Sequence, residues 1–207
     1  MKKKIGIMGG TFDPIHVSHL ILGEAAYEQF GLDKVLFMPS GNPPHKKGRH
    51  GASNEERVEM VRRAISGNDH FELSTEEMHE DGYTYTRLTL ERLRKENPDT
   101  EYYFIMGADS LLAFDTWRDP EQISRLCVIV VAVRDHLPSE ELDRCIALTS
   151  EKYDADIRKL STVNMDISSH QIREWISEGR SCRYYLSDSV LDYIGEHKIY
   201  QERHETV

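Results

Sequence analysis

Residues Lys4 to Leu20 read KIGIMGGTFDPIHVSHL, and the order of their parts decides the fold. A short apolar run (Ile5, Ile7, Met8) ends in Gly9-Gly10, and a turn-rich segment with Thr11, Asp13 and Pro14 follows. Apolar residues then recur at helical spacing at Val17, Leu20 and Ile21. This is a strand, a glycine turn and a helix start. Glycine lets the backbone approach a ligand with no Cβ in the way, and a helix amino end directs N–H groups and positive dipole charge at the same place. The geometry suits a phosphate. His16 and His19, three apart at the helix start, share one face and can both reach an anion held there. A plain reading stands beside this one, with one imidazole capping the turn and the other on the helix surface. The full G-x-G-x-x-G fingerprint is absent. Zinc would need a third ligand and usually an H-E-x-x-H helix, so no protein-held metal is expected.

Outward from that stretch, the helix runs to Phe30 and Gly31 supplies a stop signal. Lys34 to Met38 (KVLFM), ended by Pro39, reads as a strand buried on both faces, which completes a βαβ unit. The loop PSGNPPHKKGRHG carries Lys46, Lys47 and Arg49 and should lie at the carboxyl ends of the strands, where open α/β sheets bind ligands. Ser53 and Glu56 form a capping box that opens an amphipathic helix through Val58, Met60, Val61 and Ile65, read as structural. A short strand at Phe71 and Leu73 precedes a helix from Thr84 to Leu93, where Thr84-Tyr85 has the plain reading of an N-cap beside a packing aromatic. Tyr102 to Met106 is a buried strand that leads into Gly107-Ala108-Asp109-Ser110, a second strand end with a carboxylate at a helix start. Asp109 there suits a nucleotide ribose or an ordinary cap. Trp117 offers a flat face for a pyridine ring, or packs near Pro120. Leu126 to Val133 (LCVIVVAV) is predicted to be a central parallel strand ending at Arg134, followed by a helix over Pro138 to Tyr153 and a short outer strand before Val163. Ser168 with Gln171 makes another capping box, so Ile167, Ser168, Ser169 and Arg173 form a second phosphate cradle, or simply a capped helix. Leu186, Val190, Leu191 and Ile194 mark a short C-terminal helical module that packs on the core.

Composition narrows the partners. The chain has 207 residues, with 26 Lys plus Arg against 36 Asp plus Glu and a formal net charge of -10. Such a surface repels nucleic acid, so any polyanion must be met by a local basic pocket, and small phosphorylated ligands fit better than DNA. Cys127, Cys145 and Cys182 are odd in number and far apart, as expected of reduced thiols rather than disulfides. No apolar run approaches the roughly 18 residues of a membrane span, and MKKKIGIMGG has no cleavage site, so a cytoplasmic location is expected.

GGTFDPIHVSH resembles the first signature of the nucleotidyltransferase superfamily that carries an H-x-G-H motif, and specifically of the bacterial nicotinate-nucleotide adenylyltransferases. Asn42-Pro43-Pro44-His45-Lys46 is similar to a second signature of that family, GADSLL with Trp117 to a third, and Ile167 to Arg173 to the I-S-S-T-x-I-R signature. Three positions depart from the pattern: Ser18 stands for the usual Gly, His170 for Thr, and Arg134-Asp135-His136 for Arg-Pro-Gly. Ser18 would put more side chain where the helix approaches the nucleotide.

The resemblance covers nearly the whole chain. It implies a Rossmann-like doubly wound parallel sheet with helices on both faces, as one domain over 1–207 with its C-terminal helical part at about 167–200. It also implies adenylyl transfer from ATP, with Mg2+, to nicotinate mononucleotide, without a covalent enzyme intermediate. Gly9, Gly10, Thr11, Phe12, Gly107, Asp109, Ile167, Ser168 and Ser169 would then hold ATP, and His16, His19, Lys46 and Arg173 would act on its phosphates. Asn42, His45, Thr84, Tyr85, Trp117 and Arg134 would hold the acceptor. Phosphopantetheine adenylyltransferase shares both cradles but usually has Thr for His16 and lacks the Trp117 signature. A class I aminoacyl-tRNA synthetase fragment would need a K-M-S-K-S loop, and a nucleotide sensor would bind without turnover. Self-association is left open by the sequence.

Overall fold

The computed structural model describes residues 2–41, 51–78, 84–132, 139–163 and 165–201. Its strands are β1 (Lys3–Gly10), β2 (Lys34–Pro39), β3 (Phe71–Leu73), β4 (Thr100–Gly107), β5 (Val128–Ala132) and β6 (Ile157–Leu160). They form one sheet in the order β3-β2-β1-β4-β5-β6, with every neighbouring pair parallel. The chain builds outward from β1 to β3, then returns to lay β4 on the other flank of β1. The crevice at the carboxyl ends of β1 and β4 is therefore the switch point of a doubly wound, Rossmann-like sheet, where such folds bind ligands.

The helices are α1 (Val17–Phe30), α2 (Asn54–Ile65), α3 (Thr86–Glu96), α4 (Ala108–Leu112), α5 (Pro120–Leu126), α6 (Ser139–Tyr153), α7 (Ser169–Ser177) and α8 (Asp188–His197). Alternation along the strands assigns them to faces. Met8, Val35, Phe37, Tyr103, Ile105, Val128 and Val130 meet the apolar stripes of α1, α2, α7 and α8 in one buried cluster. Ile5, Ile7, Met38, Tyr102, Phe104, Ile129 and Val131 meet α3, α4, α5 and α6 in the other. Both faces are covered, which is why the inner strands read as continuous apolar runs.

Local signals set several boundaries. Gly31 closes α1 in the left-handed region at φ 58°, donating its N–H to the Tyr27 carbonyl. Ser53 and Glu56 form the reciprocal capping box at α2. Two expectations need correction. β5 lies between β4 and β6, so the sheet centre is the β1/β4 pair; five fully buried residues reflect cover on both faces rather than a central place. The helix expected from Thr84 begins at Thr86, with Tyr85 in the N-cap position and no side-chain cap bond. The structure also contains α5, whose seven residues are too few to show apolar periodicity; Pro120 and Glu121 in its first turn are its start signals.

Gly23 decides how closely α1 sits on the sheet. A Cβ there would lie 2.9 Å from the Phe37 ring and 3.2 Å from the Phe71 ring. Phe37 is fully buried and wedged between Phe71 and Phe12, so its ring has nowhere to swing. Alanine is favoured over glycine by about 1 kcal/mol in a helix interior, whereas overpacking a core typically costs about 1–3 kcal/mol. The clash should win. Gly23→Ala is expected to lower the urea midpoint; a raised midpoint would show that the aromatic cluster yields.

Candidate active site

A cleft of about 950 Å³ opens at the switch point. Gly9, Gly10 and Thr11 at the end of β1 and Gly107, Asp109 and Ser110 at the end of β4 line it, with Thr84, Tyr85 and Trp117 also on its wall. The Phe104 ring links these parts. It lies 3.4 Å from where a Cβ on Gly9 would stand, and it meets the half-buried Trp117 edge-on at a centroid distance of 6.0 Å. The glycine turn and the tryptophan thus flank one aromatic floor.

The histidine pair is divided by depth. His19 lines the cleft, whereas His16 is only 3% exposed and lies outside the lining, with its ring 3.7 Å from that of His19. The His16 N–H donates to Nδ1 of His19 at 3.2 Å, so neutral His19 must carry its proton on Nε2. Phe12, at φ 50° and buried, packs edge-on against the same ring at 5.1 Å. Phe12 and His16 therefore bracket His19 rather than line the cleft. Ser18 is buried and likewise outside the lining. The start of α1 is less open than its sequence implies, because Val17 N–H donates to the Tyr185 carbonyl and His19 N–H to the His16 carbonyl.

The start of α7, expected as a second cradle, is docked on the turn after β1, although Ile167, Ser168, Ser169 and Arg173 lie outside the cleft lining. Ser169 Oγ donates to the Pro14 carbonyl at 2.9 Å, and Arg173 donates to the Asp13 carbonyl at 2.7 Å and pairs with the Asp13 carboxylate at 3.7 Å. Ser168 caps α7 by accepting from Gln171 N–H, and Ile167 is buried in the core beneath it. His170 points away, exposed and paired with Glu174. Asn42, His45, Lys46 and Arg134 lie outside the described residues.

Thr84 is 8% exposed, lines the cleft, and its Oγ1 has no hydrogen-bond partner among the described residues. It is no cap; a buried hydroxyl facing a cleft is a vacant contact for a ligand. Asp109 is exposed in the first turn of α4, whose N-cap position is Gly107, so its carboxylate also faces the cleft rather than capping the helix. Cys127 is buried, which pushes its thiol up to about 12, and burial raises Cys182 as well. None of the three cysteines lines the cleft.

Sequence reasoning missed residues that hold this arrangement together. Arg57, 3% exposed, donates to the carbonyls of Thr11 at 2.6 Å and Ser40 at 2.8 Å, and to Asn54 Oδ1 at 2.5 Å. Burial pulls its guanidinium below the usual range, with the nearby Asp13 carboxylate opposing. Its signal was an arginine in phase with the buried Met60 and Val61 stripe. Tyr200 donates to Asp13 Oδ1 at 2.7 Å, and Ala52 N–H to the same oxygen at 3.0 Å. Burial lifts the Tyr200 hydroxyl well above its ordinary range, and the Asp13 carboxylate acts in the same direction. Arg118 also lines the cleft, directly after Trp117.

A strand, glycine turn and histidine-bearing helix at the switch point of a 3-2-1-4-5-6 sheet, with the capped α7 docked on the turn, form the arrangement of a nucleotidyltransferase-type fold. Residues 7–175 match the cytidylyltransferase-like family model. The chain is 44% identical to the "Probable nicotinate-nucleotide adenylyltransferase" of Lachnoclostridium phytofermentans, covering 96% of this chain and 99% of that one. It is 40% identical to the protein of the same name in Desulfitobacterium hafniense, over 96% of each. The fold is similar to that of Plasmodium falciparum nicotinic acid mononucleotide adenylyltransferase complexed with NaAD, at TM-score 0.77, 18% identity and 96% and 97% coverage. The chain belongs to the cytidylyltransferase-like family and, within it, to the nicotinate-nucleotide adenylyltransferases.

Truncating Arg57 would strand buried carbonyls on both loops. Arg57→Ala is expected to cost about 3–5 kcal/mol of stability, as for other buried charges removed from their partners. Arg57→Lys should recover only part, since one ammonium cannot span both loops; urea unfolding of the two variants checks the order.

Proposed function

We propose that the chain transfers the adenylyl group of ATP to nicotinate mononucleotide, giving nicotinic acid adenine dinucleotide and pyrophosphate. The observation that carries this reading is the docking of α7 on the glycine turn, through Ser169 to Pro14 and Arg173 to Asp13, beside a cleft into which His19 faces. A triphosphate lying along the cleft would be met by groups from both. The acceptor end is supported by Thr84, Tyr85 and Trp117 on the cleft wall and by the names of the relatives.

A 5′-phosphate oxygen of the mononucleotide attacks the α-phosphorus of ATP. The new P–O bond forms as the bond to the α–β bridging oxygen breaks, and pyrophosphate leaves with that electron pair. The attacking oxygen is already anionic, so no general base is required. No cysteine lines the cleft, which supports direct transfer without a covalent enzyme intermediate. His19, through Nε2–H, stabilises charge developing on the α-phosphate, with the tilted His16 ring against it. Arg173 and Lys46 steady the β- and γ-phosphates. Asp109 and Gly107 meet the ribose side of ATP. Among the described residues, no three His, Cys, Asp or Glu side chains converge to hold a metal. Mg2+ would enter with ATP and would screen the triphosphate's charge.

Three thiols outside any disulfide and an acidic surface support a cytoplasmic enzyme of small phosphorylated substrates rather than of nucleic acid. Among the described residues, no helix is long and apolar enough to cross a membrane.

Pyrophosphate release from ATP is expected to depend on added nicotinate mononucleotide and not on phosphopantetheine. His19→Ala should lower that rate by a hundredfold or more, the usual effect of losing a preorganised donor at a developing oxyanion. Undiminished turnover in that variant would remove His19 from the chemistry; release with no acceptor present would overturn the transfer itself.

A further inference from the structure

We infer that Tyr200 is a positioning residue for the transfer: its hydroxyl holds the Asp13 carboxylate and so keeps the Arg173 guanidinium available to the β- and γ-phosphates. The inference rests on the adenylyl-transfer reading above. Tyr200 lies just beyond α8 and donates to Asp13 Oδ1 at 2.7 Å, which ties the end of the described chain to the turn after β1. Burial and the Asp13 charge lift that hydroxyl well above its ordinary range, so it stays a donor. The Tyr200 backbone has φ 65°, a left-handed conformation that a bulky residue rarely adopts. Such strain persists only where the surroundings hold it, and it gathers at sites with a task.

The two oxygens of Asp13 are held differently. Oδ1 accepts from Tyr200 and from Ala52 N–H at 3.0 Å, whereas Oδ2 stands 3.7 Å from Arg173 Nη1, beyond hydrogen-bond reach. That nitrogen donates instead to the Asp13 carbonyl at 2.7 Å, and among the described residues Nε and Nη2 of Arg173 have no partner. They are the donors left for an anion. Arg57, the other buried cation near Asp13, is committed to the carbonyls of Thr11 and Ser40. Without the Tyr200 hydroxyl, a carboxylate side chain only 15% exposed would keep one donor on Oδ1 and would turn onto the guanidinium that has N–H groups to spare. A forked pair of Arg173 with Asp13 would then take up the donors that the triphosphate needs.

The test measures Kd by calorimetry for α,β-methylene-ATP, which cannot react, and for AMP, which lacks the two phosphates at issue. Tyr200→Phe is expected to weaken the ATP analogue about tenfold, the scale of one charge-assisted hydrogen bond, and to leave AMP unchanged. Adding Asp13→Asn to that variant should recover much of the loss, because a neutral amide cannot hold a guanidinium as a carboxylate does. Equal weakening of both ligands, an unchanged analogue affinity, or a double variant that recovers nothing would each overturn the assignment. In turnover, Tyr200→Phe should raise KM for ATP and leave KM for nicotinate mononucleotide unchanged; the reverse pattern would remove Tyr200 from the phosphate end. Measurements are made where circular dichroism shows each variant folded, and the calorimetric stoichiometry separates lost sites from weakened ones. Wild-type protein that releases no pyrophosphate from ATP and nicotinate mononucleotide would instead overturn the adenylyl-transfer reading.

Discussion

The turn between β1 and α1 is held by side chains that come from the rest of the chain, and the site depends on that capture. Three of its carbonyls are met by side chains from distant elements, and a buried carbonyl without a partner is costly. Arg57 takes that of Thr11, Arg173 that of Asp13 and Ser169 that of Pro14. The Asp13 carboxylate in turn accepts from Ala52 and Tyr200. Each bond satisfies a backbone group and also ties a distant element to the glycine turn. The geometry around His19 is therefore a consequence of tertiary hydrogen bonding rather than of the turn alone.

This arrangement explains how an acidic protein can handle a triphosphate. With a net charge of -10, long-range attraction cannot gather the ligand, so cations must be few and placed. Arg57 is consumed in structure, Arg173 is partly consumed by Asp13, and Arg118 lines the cleft. Among the described residues, positive charge near the cleft is thus divided among placed groups instead of concentrated in a basic patch. Such a division suits a reaction in which the substrates bring their own nucleophile and leaving group, leaving the protein to position them and to meet developing charge.

Much of the fold was legible because the deciding interactions are local. The stop at Gly31 and the Ser53 to Glu56 capping box each involve residues within a turn of one another, and the strand runs at Lys34 to Met38 and Tyr102 to Met106 announce cover on both faces. The short α5 escaped because seven residues complete barely two turns of a pattern. At the site, the glycine turn, Thr84, Asp109 and Trp117 were readable as candidates, and all of them line the cleft. The depth that separates His19 from His16 was not, since two residues three apart on one helical face look equivalent until something packs over one of them.

The sequence by itself determined the order of elements, the glycine turn with its histidines, and the family to which they belong, because periodicity, caps and motifs are written in contiguous residues. Only the tertiary structure decided which groups meet that turn. Ser169 reaches Pro14 across 155 residues, Arg173 reaches Asp13 across 160 and Tyr200 reaches Asp13 across 187. Contacts at such separations carry no local signature, since the loop closures that make them are stabilised by burial of the whole core. The glycine turn and the capped start of α7 were each readable in the chain; their meeting was a property of the folded sheet.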